Sequence, residues 1–517
     1  MQKLQKHPIL ILLIINLALG LITFRNYGLS WDEPLFYDYA NALPYAYSPG
    51  EWLSGNFNIQ NAFGSSGTDH ANRGPAYILI ARPIVSLIET LGSDNASAWH
   101  LVNFLTFQLG VFLFHRFASK WMNETSALAA SALFAWQPLL WGHAFINPKD
   151  IPFLVFFIGS ICFGFEMVDE LVRKDHKVFW KPSKSTLLAA FFLGIATSIR
   201  VLGPLAAMLT GLYALGQIRK IELGELIKRF AIYAVLTLLI AFIAWPYLWT
   251  NPLQKFVEVF GFMSDNPTQL TVLFNGDQYK ADELPRRYLP LLLGYTLTEP
   301  VWLLFFLGLA VGFWKSDNQK RFTLALILFW FLIPAAYVIL RQPPMYDGFR
   351  HFLFILPPVF IFSGFAFEKF AELIKNNWAR IISIAAILMF GIVPSIQLHP
   401  YQYAYYNSFI GRTDGAFRTY ETEYWLTCYR EAVVKLNEEA GAGTRLFVRR
   451  EPYIAAYYAS PEITIRDFRT EAKEMQSGDF YLVNTRSNED LKFLRDQPAF
   501  IQIARQGADF CLIKRVP

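Results

Sequence analysis

Apolar residues in this chain arrive in blocks, not in stripes. The first block covers roughly residues 8–24. Others follow at about 99–118, 125–146, 151–168, 187–201, 203–217, 230–249, 299–314, 322–340, 350–367 and 380–397. A stripe with helical period marks one face on a soluble core. An uninterrupted block near twenty residues is what a helix needs to cross a bilayer. The pattern predicts a polytopic α-helical membrane protein of about eleven spans. Segment 78–91 is also apolar, but Arg82 and Glu89 interrupt it, which places it at the interface. The first block follows Lys3 and Lys6, as in a signal peptide, yet runs on into Phe24-Arg25-Asn26-Tyr27 without a small-x-small cleavage pattern. It reads as an uncleaved first span with a cytoplasmic N-terminus.

After His399 the pattern changes. Arg445–Arg450, Phe480–Thr485, Phe500–Arg505 and Phe510–Lys514 are short β-like runs among charged, helix-prone stretches. Two regions are expected: a membrane domain over 1–398, with functional outer loops, and a small α/β domain over 399–517.

Charge supplies the orientation. With the N-terminus inside, the inner connections hold Arg116 and Lys120, the group Arg173, Lys174, Lys177, Lys181 and Lys184, then Arg219 to Arg229, Lys315 to Arg321 and Lys369 to Arg380. That is almost every basic cluster between spans, as the positive-inside rule requires. An odd number of spans then puts the C-terminal domain on the extracytoplasmic side of the cell membrane. Composition agrees: 54% of residues are hydrophobic, only 17% are charged, and the mean hydropathy is +0.28. The net charge of +5 comes from loops between apolar blocks, not from a continuous patch, so no nucleic-acid partner is expected. Of three cysteines, Cys162 lies within an apolar block and reads as packing. Cys428 and Cys511 match no metal spacing.

Four outer-face features carry candidate chemistry. Ser30-Trp31-Asp32-Glu33-Pro34 follows the first span. Adjacent carboxylates at a membrane surface are costly unless solvated, paired or functional. The same residues also suit a helix start, with Ser30 as cap and both acids in the first turn. Asn147-Pro148-Lys149-Asp150-Ile151-Pro152 is wedged between two apolar blocks. It reads either as a site held near the lipid boundary or as a Pro-punctuated turn with solvated charges. The stretch from Asn275 to Pro300 contains Arg286 and Arg287, and equally suits an interfacial amphipathic helix with snorkelling arginines. Arg350-His351 precedes a span and also suits an interface anchor. Together these loops converge on one membrane face. Carboxylates act as bases, and lysine and arginine hold phosphate. His70, His143, His351 and His399 map to the same side, but without HxxxH or HxH spacing, so no metal site is expected.

These motifs, in this order, resemble the GT-C polyprenyl-phosphate-dependent glycosyltransferases. The likeness is to the branch holding the protein O-mannosyltransferases and the lipid A aminoarabinose transferase, with their uncharacterised prokaryotic relatives. It rests on Trp31-Asp32-Glu33-Pro34, on Asn147 through Phe153, on Leu284-Pro285-Arg286-Arg287-Tyr288-Leu289-Pro290 with Thr298-Glu299-Pro300, and on Arg350 through Pro358. Pro400 through Asn407 and Glu423-Tyr424-Trp425 look like the post-membrane segment of a prokaryotic subgroup. The likeness spans roughly residues 1–430. It implies a GT-C-like membrane domain and a hexosyltransferase whose donor is a sugar on a polyprenyl monophosphate. It further implies Asp32 as base, Glu33 in support and Asp150 as the second acidic residue. Lys149, Arg286, Arg287 and Arg350 become the donor-phosphate candidates. The acceptor is a hydroxyl on a glycan, lipid or protein. The absence of an inserted MIR-type domain weakens the case for protein serine or threonine.

The implied chemistry is inverting transfer. Asp32 takes the proton of the acceptor hydroxyl, and the lipid phosphate leaves from the opposite face of the sugar. Phosphate is already a good leaving group, so no metal or cofactor is required. Two rivals are a transporter or flippase, for which Arg200 is the mid-span ionisable residue, and a polymerase or ligase using a lipid diphosphate.

Overall fold

The computed structural model describes residues 8–65, 68–173, 182–264, 270–314 and 316–517. Lys3, Lys6, Lys174, Lys177, Lys181 and Lys315, part of the predicted inner-face charge, lie outside the described residues. Among the described residues, six helices are long and apolar enough to cross a membrane: Ile9–Asn26, Asn95–Ala118, Asp150–Arg173, Leu223–Ala244, Asn318–Arg341 and Asn377–Leu398. A seventh is formed if Tyr288–Thr296 and Glu299–Trp314, bent at 106°, count as one. The chain is thus a multi-pass membrane protein. Other predicted blocks are shorter helices, such as Lys184–Ile199 and Pro204–Gly216. The block at 125–146 divides into Glu124–Ala135 and Pro138–Ile146, where Pro138 starts a new helix because its ring suits a first turn and not an interior one.

Helix starts follow local chemistry. The side chains of Asp94, Asn123, Ser183 and Asp317 each accept the backbone N–H three residues on, satisfying donors that the first helical turn leaves open. Burial then sorts the spans. The Asp150–Arg173 window is 94% buried, whereas the windows of Ile9–Asn26 and Asn377–Leu398 are only 22% and 17% buried. The first is the bundle's central helix, with Asp150 at its N-terminal tip. The other two are peripheral and present residues such as Ile22 and Ile396 to their surroundings.

The segment expected as an interfacial amphipathic helix is different. Strands β1 (Thr271–Phe274) and β2 (Asp277–Lys280) form an antiparallel hairpin. Its turn, Asn275-Gly276, has φ of 56° and 87°, the left-handed pair that a two-residue hairpin loop needs. Only Tyr288–Thr296 in this stretch is a regular helix.

The C-terminal region holds a five-stranded sheet. Its strands are β3 (Thr444–Val448), β4 (Ile463–Asp467), β5 (Phe480–Asn484), β6 (Ala499–Arg505) and β7 (Ala508–Arg515), in the order β4-β3-β5-β7-β6. β3 pairs in parallel with β4 and β5, while β7 pairs antiparallel with β5 and β6. The four predicted β-runs match β3, β5, β6 and β7; β4 is additional. Cys428 and Cys511, unassigned by spacing, form a disulfide that ties the helix Cys428–Glu439 to β7.

Candidate active site

The loop after the first long helix turns so that its two acids diverge. The helix begins at Glu33, with Asp32 at its N-cap position making no side-chain cap bond, so Ser30 is not the cap that the sequence suggested. Its hydroxyl instead donates to the Ile146 carbonyl at 3.0 Å. Glu33 is fully buried. It accepts the Ser30 backbone N–H at 2.6 Å and the Tyr37 hydroxyl at 2.5 Å, and meets His100 Nε2 at 3.2 Å. Asp32, 20% exposed at its side chain, faces a cavity.

The second motif is built by Asn147. Its side-chain oxygen accepts the backbone N–H groups of Lys149 and Asp150, at 3.1 and 2.8 Å. Its amide donates to Asp150 Oδ2 at 2.8 Å. This Asx turn fixes both charges, and neither is solvated as a simple turn would have it: both are buried. Asp150 pairs with Arg200 through Oδ1 and with Arg350 Nη1 at 3.2 Å through Oδ2.

Arg350, a donor-phosphate candidate that also suited an interface anchor, is the hub. Its side chain is 4% exposed and stacks on Trp425, with Cζ 4.5 Å from the ring centre. It meets Asp32 at 3.2 Å, Asp150 at 3.2 Å and Asp347 at 3.1 Å. A guanidinium presents five donors in a plane, so one arginine can hold three carboxylates in fixed directions. Among the described residues, no group of histidine, cysteine and acidic residues is arranged to hold a metal ion.

Lys149 is different. Its ammonium lies 5.6 Å from the centre of the Phe36 ring and, among the described residues, has no hydrogen-bond or ion-pair partner. Burial, together with the nearby Arg200, Arg73 and Arg350, holds it well below the usual lysine range. A bound anion would reverse that effect. Arg73 also lines the space, with Nε buried and without a hydrogen-bond partner among the described residues. Gly74 permits its approach: a Cβ there would stand 1.9 Å from the Ser198 carbonyl oxygen. Arg200 ends the helix Lys184–Ile199 in an extended conformation, φ −143° and ψ 136°, so its side chain leaves the helix and reaches Asp150.

These groups form one end of a cavity of about 630 Å³. Asp32, Arg73, Lys149, Arg200, Arg350 and His351 line the polar end; Leu205, Met208, Phe256, Phe260, Ile333 and Tyr337 are among the residues lining the apolar remainder. The structure thus gathers Asp32, Lys149, Asp150 and Arg350, with Glu33 directly behind. It does not bring in Arg286 or Arg287, which are exposed and do not line the cavity. Sequence reasoning missed Arg73 and Asp347. It assigned Arg200 to the transporter alternative. The only local signals were a charge inside an apolar block at Arg200 and the Asp347-Gly348 turn just ahead of Arg350.

No family model matches the sequence, and no curated protein matches it. Solved structures do. ArnT from Cupriavidus metallidurans in the apo state aligns with a TM-score of 0.50 at 13% identity, over 97% of each chain. ArnT bound to undecaprenyl phosphate aligns at 0.48 and 12% identity, over 98% of this chain and 97% of that one. The Archaeoglobus fulgidus oligosaccharyltransferase in complex with zinc and sulfate aligns at 0.46 and 13% identity, over 87% of this chain and 57% of that one. At such identity the apo ArnT match speaks to architecture alone, and the chain shares the fold of that structure.

Proposed function

We propose that this protein transfers a sugar of the hexose class from a polyprenyl-phosphate donor to an acceptor hydroxyl, with inversion, on the extracytoplasmic face. The observation that carries this reading is the cavity. The Asp32 carboxylate faces its polar end, the Lys149 ammonium and Arg73 Nε lie there with no partner among the described residues, and the rest is apolar. A lipid monophosphate has the same division: one anionic diester beside a hydrocarbon tail. Lys149 and Arg73 are the groups left for its phosphate, because Arg350 is already shared among three carboxylates.

In the proposed step, Arg350 holds Asp32 Oδ2 and leaves Oδ1 to accept the acceptor's proton. The freed oxygen attacks the anomeric carbon. The bond from that carbon to the phosphate oxygen breaks on the opposite face, and the phosphate departs with the electron pair. Lys149, Arg73 and Arg200 meet the charge that develops there. The proton passes from Asp32 to solvent. Because lipid phosphate is a good leaving group, this chemistry needs no cofactor.

Sidedness has two supports. The basic residues between spans favour the opposite face, and the disulfide Cys428–Cys511 suits an oxidising compartment. The transporter alternative draws on one feature, the helix break at Arg200. That arginine is engaged by Asp150 and lies beside the base, which favours bond-making over carriage. Purified protein incubated with radiolabelled polyprenyl-phosphate sugars and membrane extract should release lipid monophosphate and label an acceptor. Transfer solely from polyprenyl-diphosphate donors would favour the polymerase or ligase reading instead.

A further inference from the structure

The segment Glu421 to Trp425 and the C-terminal sheet are not used by the chemistry above, yet they reach its centre. Arg486 follows β5 and is 1% exposed. Ser487 and Asn488, at φ 50° and 57°, are both in the left-handed region, a costly conformation for non-glycine residues. The β1–β2 hairpin braces this turn: Ser487 Oγ donates to the Thr271 carbonyl at 2.9 Å, and the Gln278 amide donates to the Ser487 carbonyl at 2.7 Å. Arg486 Nη1 reaches Asp347 at 2.7 Å and the Tyr424 carbonyl at 3.1 Å. Asp347, fully buried, meets Arg350 at 3.1 Å through its other oxygen, and Arg350 meets Asp32 at 3.2 Å.

We propose that the C-terminal domain completes the catalytic centre: Arg486, acting through Asp347, is a positioning residue that keeps Arg350 between Asp32 and Asp150. This rests on the glycosyltransferase reading above. The physical reason is competition. Three carboxylates pull on one guanidinium, and without Arg486 the charge of Asp347 would be unmatched on its far side. Arg350 would then shift toward Asp347 and loosen its hold on the base. The same domain also fixes the loop that carries the base. Trp425 O accepts the Trp31 N–H at 3.1 Å, Tyr458 accepts the Leu29 N–H at 2.8 Å, and Arg486 stacks on Trp31 at 5.0 Å.

The test compares Arg486→Gln, Asp347→Asn and the double variant in the full-length protein, reading melting temperature, kcat and donor KM. Each single variant should lower both melting temperature and kcat, because each shifts the charge balance of the buried Glu421–Arg486–Asp347–Arg350 cluster by one. The double variant removes one charge of each sign, so the cluster that Glu421 shares with Arg486 keeps its net charge. That variant should regain the melting temperature while kcat stays about 10–100-fold down and donor KM stays within about threefold of the wild type. If kcat returns together with the melting temperature, the pair is only structural and the proposal falls. If the wild-type protein transfers sugar from no polyprenyl-monophosphate donor, the glycosyltransferase reading fails first, and this inference with it.

Discussion

Asp32 and Glu33 share a peptide bond, yet one faces the cavity and the other is enclosed by Tyr37, His100 and the Ser30 amide. Their variants should therefore fail differently. Asp32→Asn keeps the shape and removes the base, so turnover should fall about 10²–10⁴-fold with the fold intact. Glu33→Gln disturbs buried hydrogen bonds, and its first effect should be a loss of about 1–3 kcal/mol in stability. Turnover and thermal melting of the two, at matched expression, check the division; equal turnover losses would leave the pair with only a joint structural role. For the phosphate, Lys149→Ala should weaken donor binding by about 1.5–3 kcal/mol, while Arg286→Ala, at an exposed position, should bind normally. A titration with polyprenyl phosphate reads both. Lys149, Asp150 and Arg350 were legible because each sits in a compact motif. Arg73 and Asp347 were not. Their places beside the cavity arise where the chain closes on itself, at Gly74 against Ser198 and at Asp347 between two arginines, and no spacing encodes that.

At the scale of elements, short turns do the aiming. Asn147 orients Lys149 and Asp150 through its side chain alone. Asn147→Ala should therefore lower turnover though Asn147 itself does not line the cavity, and Asn147→Asp, which keeps the acceptor but sets a second carboxylate against Asp150 Oδ2, should not restore it. The β1–β2 hairpin was legible in principle, since Asn275-Gly276 is the strongest short signal for such a turn. The charged residues after it masked the signal. The predicted apolar blocks outnumber the six long apolar helices among the described residues for a related reason. Hydropathy measures composition, whereas Pro138, Pro204 and the 3₁₀ turn Arg350–Ile355 divide or shorten apolar blocks. The disulfide pairing was illegible because 83 residues separate the cysteines. It predicts that in denatured, unreduced protein one thiol of three, that of Cys162, reacts with an alkylating reagent, and all three react after reduction. Replacing the pair with serine should cost about 2–4 kcal/mol.

For the whole molecule, blocks of apolar residues and the asymmetry of lysine and arginine were enough to read a membrane protein. Motif order was enough to expect a GT-C fold. Sequence was silent on how the C-terminal sheet meets the membrane domain, and this junction shapes the site: Trp425 lies under Arg350, and Tyr453 donates to the Trp31 carbonyl at 3.1 Å. The arrangement predicts that a chain cut after Leu398 inserts but does not turn over, because Arg350 loses its stacking partner and the Asp32 loop loses its brace. The central claim is that a sugar moves from a lipid monophosphate with Asp32 as base. The most direct measurement follows labelled sugar from a polyprenyl-monophosphate donor into product, for wild-type and Asp32→Asn protein in parallel, and determines the anomeric configuration of the new bond. The account predicts an inverted linkage and released lipid phosphate with the wild type, and almost none of either with the variant. Retained configuration, unimpaired transfer by Asp32→Asn, or passage of the intact donor across the membrane with no bond broken would contradict it.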